Sequence, residues 1–233
     1  MPIGVLTNVA SVVIGGLLGS LLSNKISDTF KNTMTMVFGF CSLAMGISSV
    51  ILMRNMPAVV FSVILGTMIG LLLDLQGRIR RGAGKILSRL NLGDDLDEGL
   101  LLTALVLFCA SGTGIFGSLT AGMTGDHSIL LAKSILDLFT ALIFACNLKK
   151  ATCLIGIPQL IILGALFFSA RLIYPLTSDV MIDDFKAVGG IVLLATGFNI
   201  LKVKEVPLAD MIPAMILAMP LSSLWTKVIL PLL

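Results

Sequence analysis

The stretch Ile3–Leu22 reads IGVLTNVASVVIGGLLGSLL and carries no charge. At 1.5 Å per residue a helix of that length crosses the roughly 30 Å hydrocarbon core of a bilayer. Similar runs recur along the chain: Thr33–Met53, Pro57–Leu73, Leu100–Gly122, Ser128–Leu148, Cys153–Ile173, Ala187–Leu201 and Ala209–Leu230. Composition agrees. Of 233 residues 57% are apolar and 12% charged, with a mean hydropathy of +1.06. Soluble domains run near 45–50% apolar and about 25% charged. The expectation is an all-α integral membrane protein of about eight transmembrane helices. The runs are continuous rather than alternating, which excludes a β-barrel. Ahead of the first run there is no basic n-region, and no small-residue cleavage site follows it, so it reads as a retained helix rather than a signal peptide.

The net charge of +3 matters less than its placement. The connection 74–99 holds Arg78, Arg80, Arg81, Lys85 and Arg89, then Asp94, Asp95, Asp97 and Glu98. Ile79, Ile86, Leu87 and Leu90 recur there at helical spacing, with Arg78, Arg81, Lys85 and Arg89 largely opposite. That pattern predicts a short interfacial helix on an anionic leaflet. With eight spans, eleven basic residues fall on one side: Lys25, Lys31, the five of the long connection, Lys149, Lys150, Lys202 and Lys204. Arg54, Arg171 and Lys186 fall on the other. The positive-inside rule places the eleven in the cytoplasm and both termini outside. The partners expected are the lipid bilayer and a small molecule or ion of unknown identity, with no nucleic acid. The pairs Gly15/Gly19 and Gly66/Gly70 are GxxxG faces, suited to close packing or to a homo-oligomer.

A weak internal repeat is visible. Ser27-Asp28-Thr29-Phe30-Lys31 resembles Ile182-Asp183-Asp184-Phe185-Lys186, Met45-Gly46-Ile47-Ser48 resembles Thr196-Gly197-Phe198-Asn199, and Met56-Pro57-Ala58-Val59 resembles Ile212-Pro213-Ala214-Met215. The matches keep their order. They divide the chain into a three-helix repeat over 1–76, the connection at 77–99, a central helix pair at 100–150 and a second three-helix repeat at 151–233. With two helices between, the second repeat is inverted relative to the first, as in many secondary transporters.

Polar groups in hydrocarbon are costly and therefore informative. The sequence Gly125-Asp126-His127-Ser128 leads into ILLAKSILD, in which Lys133 and Asp137 are four apart and share a helix face, with Ser134 beside them. This pair reads as a substrate or proton site, or else as a structural ion pair. Lys133 would favour an anionic group such as a carboxylate. His127, the single histidine, and Asp126 are candidates for a proton or pH-sensing role, with Asp126 also a helix cap. Asn8, Gln159 and Asn199 lie in spans and suit either solute contact or helix bridging. Ser111-Gly112-Thr113-Gly114 marks a place where the fourth run can break. The cysteines Cys41, Cys109, Cys146 and Cys153 show no metal-ligand spacing, so no metal and no cofactor are expected.

The segments GVLTNVASVVIGGLLGSLL, TGDHSILLAKSILD and GGIVLLATGFNIL followed by IPA resemble the DUF554 family. The resemblance implies a bacterial inner-membrane location and at most a transport role, and it supplies no substrate. Around Ser111–Gly114 this chain departs from the Ala-rich stretch of that family. The function expected is secondary transport of a small solute. The alternatives are a non-transporting scaffold or, with no HExxH, GxSxG or carboxylate–histidine cluster in support, an intramembrane enzyme.

Overall fold

A computed structural model of the chain describes residues 1–22, 27–87, 98–109 and 111–232. Helices account for nearly all of it, and no strand occurs among the described residues. In order they are α1 (Ile3–Leu22), α2 (Asp28–Val50), α3 (Met56–Leu73), α4 (Leu75–Leu87), α5 (Glu98–Cys109), α6 (Gly112–Thr124), α7 (Ser128–Leu148), α8 (Ala151–Leu154), α9 (Gly156–Ile173), α10 (Asp179–Ile200) and α11 (Ile212–Leu224). Lys25, Arg89, Leu90, Asp94, Asp95 and Asp97, used above in the charge and periodicity arguments, lie outside the described residues.

Five helical stretches are long and apolar enough to cross a bilayer: Ile3–Leu22, Thr29–Val50, Ser128–Leu148, Ala151–Leu176 and Leu208–Leu232. Met56–Leu72 with Leu75–Gly82 makes a sixth if the pair, bent by 51°, counts as one span. The count of eight is therefore not carried by length and composition. The fourth run is divided between α5 and α6, and α10 opens with Asp179, Asp183, Asp184 and Lys186. The bend after α3 has a local cause. Asp74 closes α3 in the left-handed conformation at φ 47°, so the basic helix α4 sets off in a new direction.

The chain forms two compact units. One comprises Met1–Phe38 and Arg78–Leu172, the other Gly39–Gly77 and Ile173–Leu233. In the first unit α1 packs on α7, and their contacts climb together: Gly4 on Leu130, Gly15 on Leu138 and Ala141, Gly19 on Leu142 and Ala145. The two helices are parallel. A side chain at Gly15 or Gly19 would run into the carbonyls of Leu138 and Leu142, so the missing Cβ atoms let the backbones meet. Gly122 of α6 approaches the Phe167 carbonyl of α9 in the same way. Val12, Phe108, Ala141 and Ile155 form one buried cluster here, and Val5, Leu130, Leu163 and Phe167 another.

In the second unit the helices pair antiparallel. Gly39 meets Gly197 and Gly46 meets Gly190 between α2 and α10, while Ser42 Oγ donates to the Leu193 carbonyl at 2.9 Å. Gly66 lies on Ala214 of α11, and Gly70 on the backbone of Asp210 in the 3₁₀ turn that precedes it. The Asp210 carboxylate in turn accepts from the backbone N–H of Gln76 at 3.0 Å, in the first turn of α4. The glycines of both GxxxG pairs thus pack within the chain. Pro57 and Pro213, near the starts of α3 and α11, sit where a helix needs no N–H from them.

Overpacking of this kind is costly, typically by about 1–3 kcal/mol. Gly70→Val should therefore lower the thermal midpoint in detergent markedly. Gly164→Ala, where an added Cβ meets nothing within 4 Å, should leave it unchanged. Equal midpoints for the two variants would show that close approach at Gly70 does not hold the second unit together.

Candidate functional site

In the first unit three helices deliver polar side chains to one buried point. α1 supplies Asn8, α7 supplies Lys133 and Asp137, and α9 supplies Gln159. The fold brings these together because glycine packing seats α1 against α7, and because α9 runs antiparallel to α1, with Gly156 on Val9 and Val13. Asn8 and Gln159 have no solvent exposure, and the side chains of Lys133 and Asp137 are 3% and 11% exposed.

All three donors converge on one oxygen. Asp137 Oδ2 accepts from Asn8 Nδ2 at 2.8 Å, from Gln159 Nε2 at 3.3 Å and from the Lys133 ammonium. Gln159 Nε2 also donates to Asn8 Oδ1 at 2.8 Å. An ionised carboxylate only accepts, so each amide must turn its nitrogen toward Asp137. That requirement leaves Gln159 Oε1 buried and without a hydrogen-bond partner. A buried acceptor in this condition costs about 1–3 kcal/mol, and in a membrane protein each such group calls for an explanation.

The break between α5 and α6 lies against the pair. Ser111 leaves the helical conformation and its Oγ accepts from the Gly114 N–H at 3.1 Å, capping α6. A Cβ on Gly114 would stand 3.1 Å from Lys133 Cε, so glycine there makes room for the lysine stem. At the end of α5 the Phe108 ring centroid lies 5.9 Å from Lys133 Nζ, a cation–π arrangement. The Ser-Gly-Thr-Gly stretch, read above as a weak point in a helix, is where two helices end and begin.

The remaining candidates lie elsewhere. Ser134 Oγ is spent on the Leu130 carbonyl of its own helix at 2.7 Å. Asn199 belongs to the second unit, where its amide exchanges two hydrogen bonds with the Val206 backbone, at 2.8 and 2.7 Å, and closes the turn after α10. His127 and Asp126 are at the start of α7, with His127 about 15 Å along the axis from Asp137 at 1.5 Å per residue. Asp126 Oδ1 accepts from the Ser128 N–H at 2.9 Å, the capping role anticipated for it. The His127 ring stacks on Phe167 at 6.1 Å, and its Nδ1 is buried without a partner.

Sequence reasoning missed two further buried carboxylates, Asp184 and the Asp210 described above. Asp184, with zero exposure, accepts from the N–H groups of Arg54 at 2.8 Å and Asn55 at 2.9 Å, from Asn55 Nδ2 at 2.9 Å and from Ser222 Oγ at 2.6 Å. It lies at the N-terminus of α3, where the helix dipole favours an anion. The signal was an acidic pair, Asp183-Asp184, opening a long apolar run; it was read only as part of a repeat. Both oxygens of Asp184 are filled, and it works as a clamp between α10, α3 and α11. Asp137 differs in having an unfilled acceptor beside it.

An all-helical chain with several bilayer-length apolar helices and a buried polar cluster is a membrane protein in class. The DUF554 family model, described as a protein of unknown function, matches residues 3–223, and the chain belongs to that family. It is 46% identical over 231 residues to the "Uncharacterized protein YqgA" of Escherichia coli (strain K12), covering 97% of this chain and 98% of that one. It is 23% identical over 220 residues to the "Uncharacterized membrane protein YdfK" of Bacillus subtilis (strain 168), covering 92% and 93%. No solved structure matches it.

Two substitutions separate the carboxylates. Asp137→Asn leaves the Lys133 ammonium buried and unpaired, and breaking a buried pair from one side typically costs about 3–5 kcal/mol. It should lower stability more than Lys133→Met/Asp137→Leu, which removes both charges. Asp184→Ala strands four donors and should cost about 3 kcal/mol or more, with no neutral second-site repair among charged residues. Urea or thermal melts in detergent measure all three; a double variant as unstable as Asp137→Asn would contradict the buried pairing.

Proposed function

We propose that the protein is a secondary transporter of a small solute across the bacterial inner membrane, with the Asn8–Lys133–Asp137–Gln159 cluster as its binding site. The observation that carries the reading is the buried Gln159 Oε1, an acceptor left open next to a charged pair in the middle of an apolar helix bundle. Asp184, by contrast, has both of its oxygens filled. The helix break at Ser111 supports the same reading, since interrupted helices at membrane depth belong beside a binding site. Neither an enzyme activity nor a resident metal or cofactor enters this proposal.

Inverted repeats are part of it. Adding 151 carries Gly39 to Gly190, Gly46 to Gly197 and Asn8 to Gln159. The contact Gly46–Gly190 then maps onto Gly197–Gly39, which is also made, and Asn8–Gln159 maps onto itself. A shift of 156 relates Met56-Pro57-Ala58 to Ile212-Pro213-Ala214, the segments that open α3 and α11. Antiparallel partners that exchange in this way are what a repeat of opposite orientation produces. The basic residues then lie in the cytoplasm and the termini outside.

The second reading is a membrane scaffold, favoured by the closed state of the charged pair, whose side chains are 3% and 11% exposed. A thermal-shift screen of the purified protein against ions and metabolites separates the two. A ligand at a hundred times its Kd stabilises by about 2.7 kcal/mol. Transport predicts a ligand that shifts the wild type and not the Lys133→Met/Asp137→Leu double variant, while the variant still folds and inserts. A shift retained in that variant moves the site away from Asp137. Orientation is checked with a cysteine at exposed Gly82: labelling by an impermeant maleimide from outside intact cells would reverse the topology.

A further inference from the structure

Resting on the reading of the Asp137 cluster as a solute site, the geometry points to the class of ligand. We infer that the site binds a small monovalent cation, which takes the seat now filled by the Lys133 ammonium.

The seat is built for a positive charge. Its floor is Asp137 Oδ2, and its wall is the face of Phe108, 5.9 Å from Nζ to the ring centroid. Both attract cations and neither recognises an anion. What the cluster holds in reserve is acceptor capacity. Asp137 Oδ1 takes none of the three donors that crowd onto Oδ2, and Gln159 Oε1 has no partner at all. Carboxylate and amide oxygens are the hard ligands that small cations prefer. An anion would meet the opposite: a carboxylate in its path and a lysine already engaged. This inverts the expectation from the sequence, where Lys133 taken alone suggested an anionic solute.

Lys133 is then a tethered occupant. Its stem runs past Gly114 at the helix break, between Ser111 Oγ and Leu163, and its head sits where the ligand belongs. A mobile cation and the ammonium compete for one carboxylate, because the dry interior does not hold two positive charges against one negative. Gln159 and Asn8 act as positioning residues: their amide nitrogens hold Asp137 from two sides, and the Gln159 oxygen completes the ligand set.

Removing the tether tests this. The wild type, Lys133→Met, Asp137→Asn and Lys133→Met/Asp137→Asn are melted in detergent in sodium, potassium or ammonium chloride. Choline chloride at equal ionic strength is the control. Lys133→Met should be weak in choline and recover in at least one of the three salts. Its half-maximal concentration should lie about tenfold or more below that of the wild type, as expected when a competitor that holds the seat nine-tenths of the time is removed. Neither variant lacking the carboxylate should respond. Replacing chloride by gluconate should change nothing. The inference is overturned if Lys133→Met recovers in none of the salts, including by failing to fold in all of them. It is overturned equally if the response survives in the double variant or follows the anion. Flux in proteoliposomes keeps this separate from the proposed function. A solute flux with no cation response sinks the cation seat and spares transport. A cation response with no flux of any solute spares the seat and sinks transport.

Discussion

A carboxylate within a hydrocarbon surround has no water to fall back on, and Asp137 meets that constraint with donors from three helices. Much of the first unit follows from the need to bring them there. Asn8 reaches Asp137 because Gly15 and Gly19 let α1 lie directly on the α7 backbone. Gln159 reaches it because Gly156 admits Val9 and Val13 against the start of α9. Lys133 reaches it because Gly114, at a break capped by Ser111, leaves room for the lysine stem. Bilayer hydrocarbon supplies no hydrophobic drive between helices, so close packing and interhelical hydrogen bonds have to do this work. Glycine and amide residues are accordingly placed where the carboxylate needs them.

Two of the buried aspartates, Asp184 and Asp137, show how one problem admits two solutions. Asp184 draws its donors largely from backbone and neighbouring side chains at the start of α3, and both its oxygens are filled. Nothing in that arrangement is open to a further group, and the exposed Arg54–Asp183 pair beside it contributes little. Asp137 loads its donors on a single oxygen and is flanked by an unfilled amide. The first arrangement closes a joint between helices. The second leaves a buried acceptor, Gln159 Oε1, without a partner beside the charged pair.

The sequence made the helical class and the Lys133–Asp137 face legible because both are short-range properties: run length and a four-residue spacing. The Ser111 break was legible for the same reason, since Ser, Gly and Thr weaken a helix locally. Ser134 and Asn199 make bonds that spacing does not reveal, one to its own helix and one across a turn. Asp184 escaped because its importance lies in Asn55 and Ser222, distant in the chain. Length and composition pick out fewer than eight spans where apolar runs are interrupted by polar residues that tertiary partners satisfy, as at the start of α10.

Asn8 and Gln159 carry the deepest consequence of the proposed repeat. Under that proposal they occupy matching positions; in the structure they hydrogen-bond to each other, and both donate to the same oxygen of Asp137. Yet the carboxylate favours one of them, at 2.8 Å against 3.3 Å. The pair Lys133–Asp137 comes from a single helix, α7, so it breaks the equivalence and has to lean one way. The difference has a local cause, since Gln159 Nε2 is shared between Asp137 Oδ2 and Asn8 Oδ1.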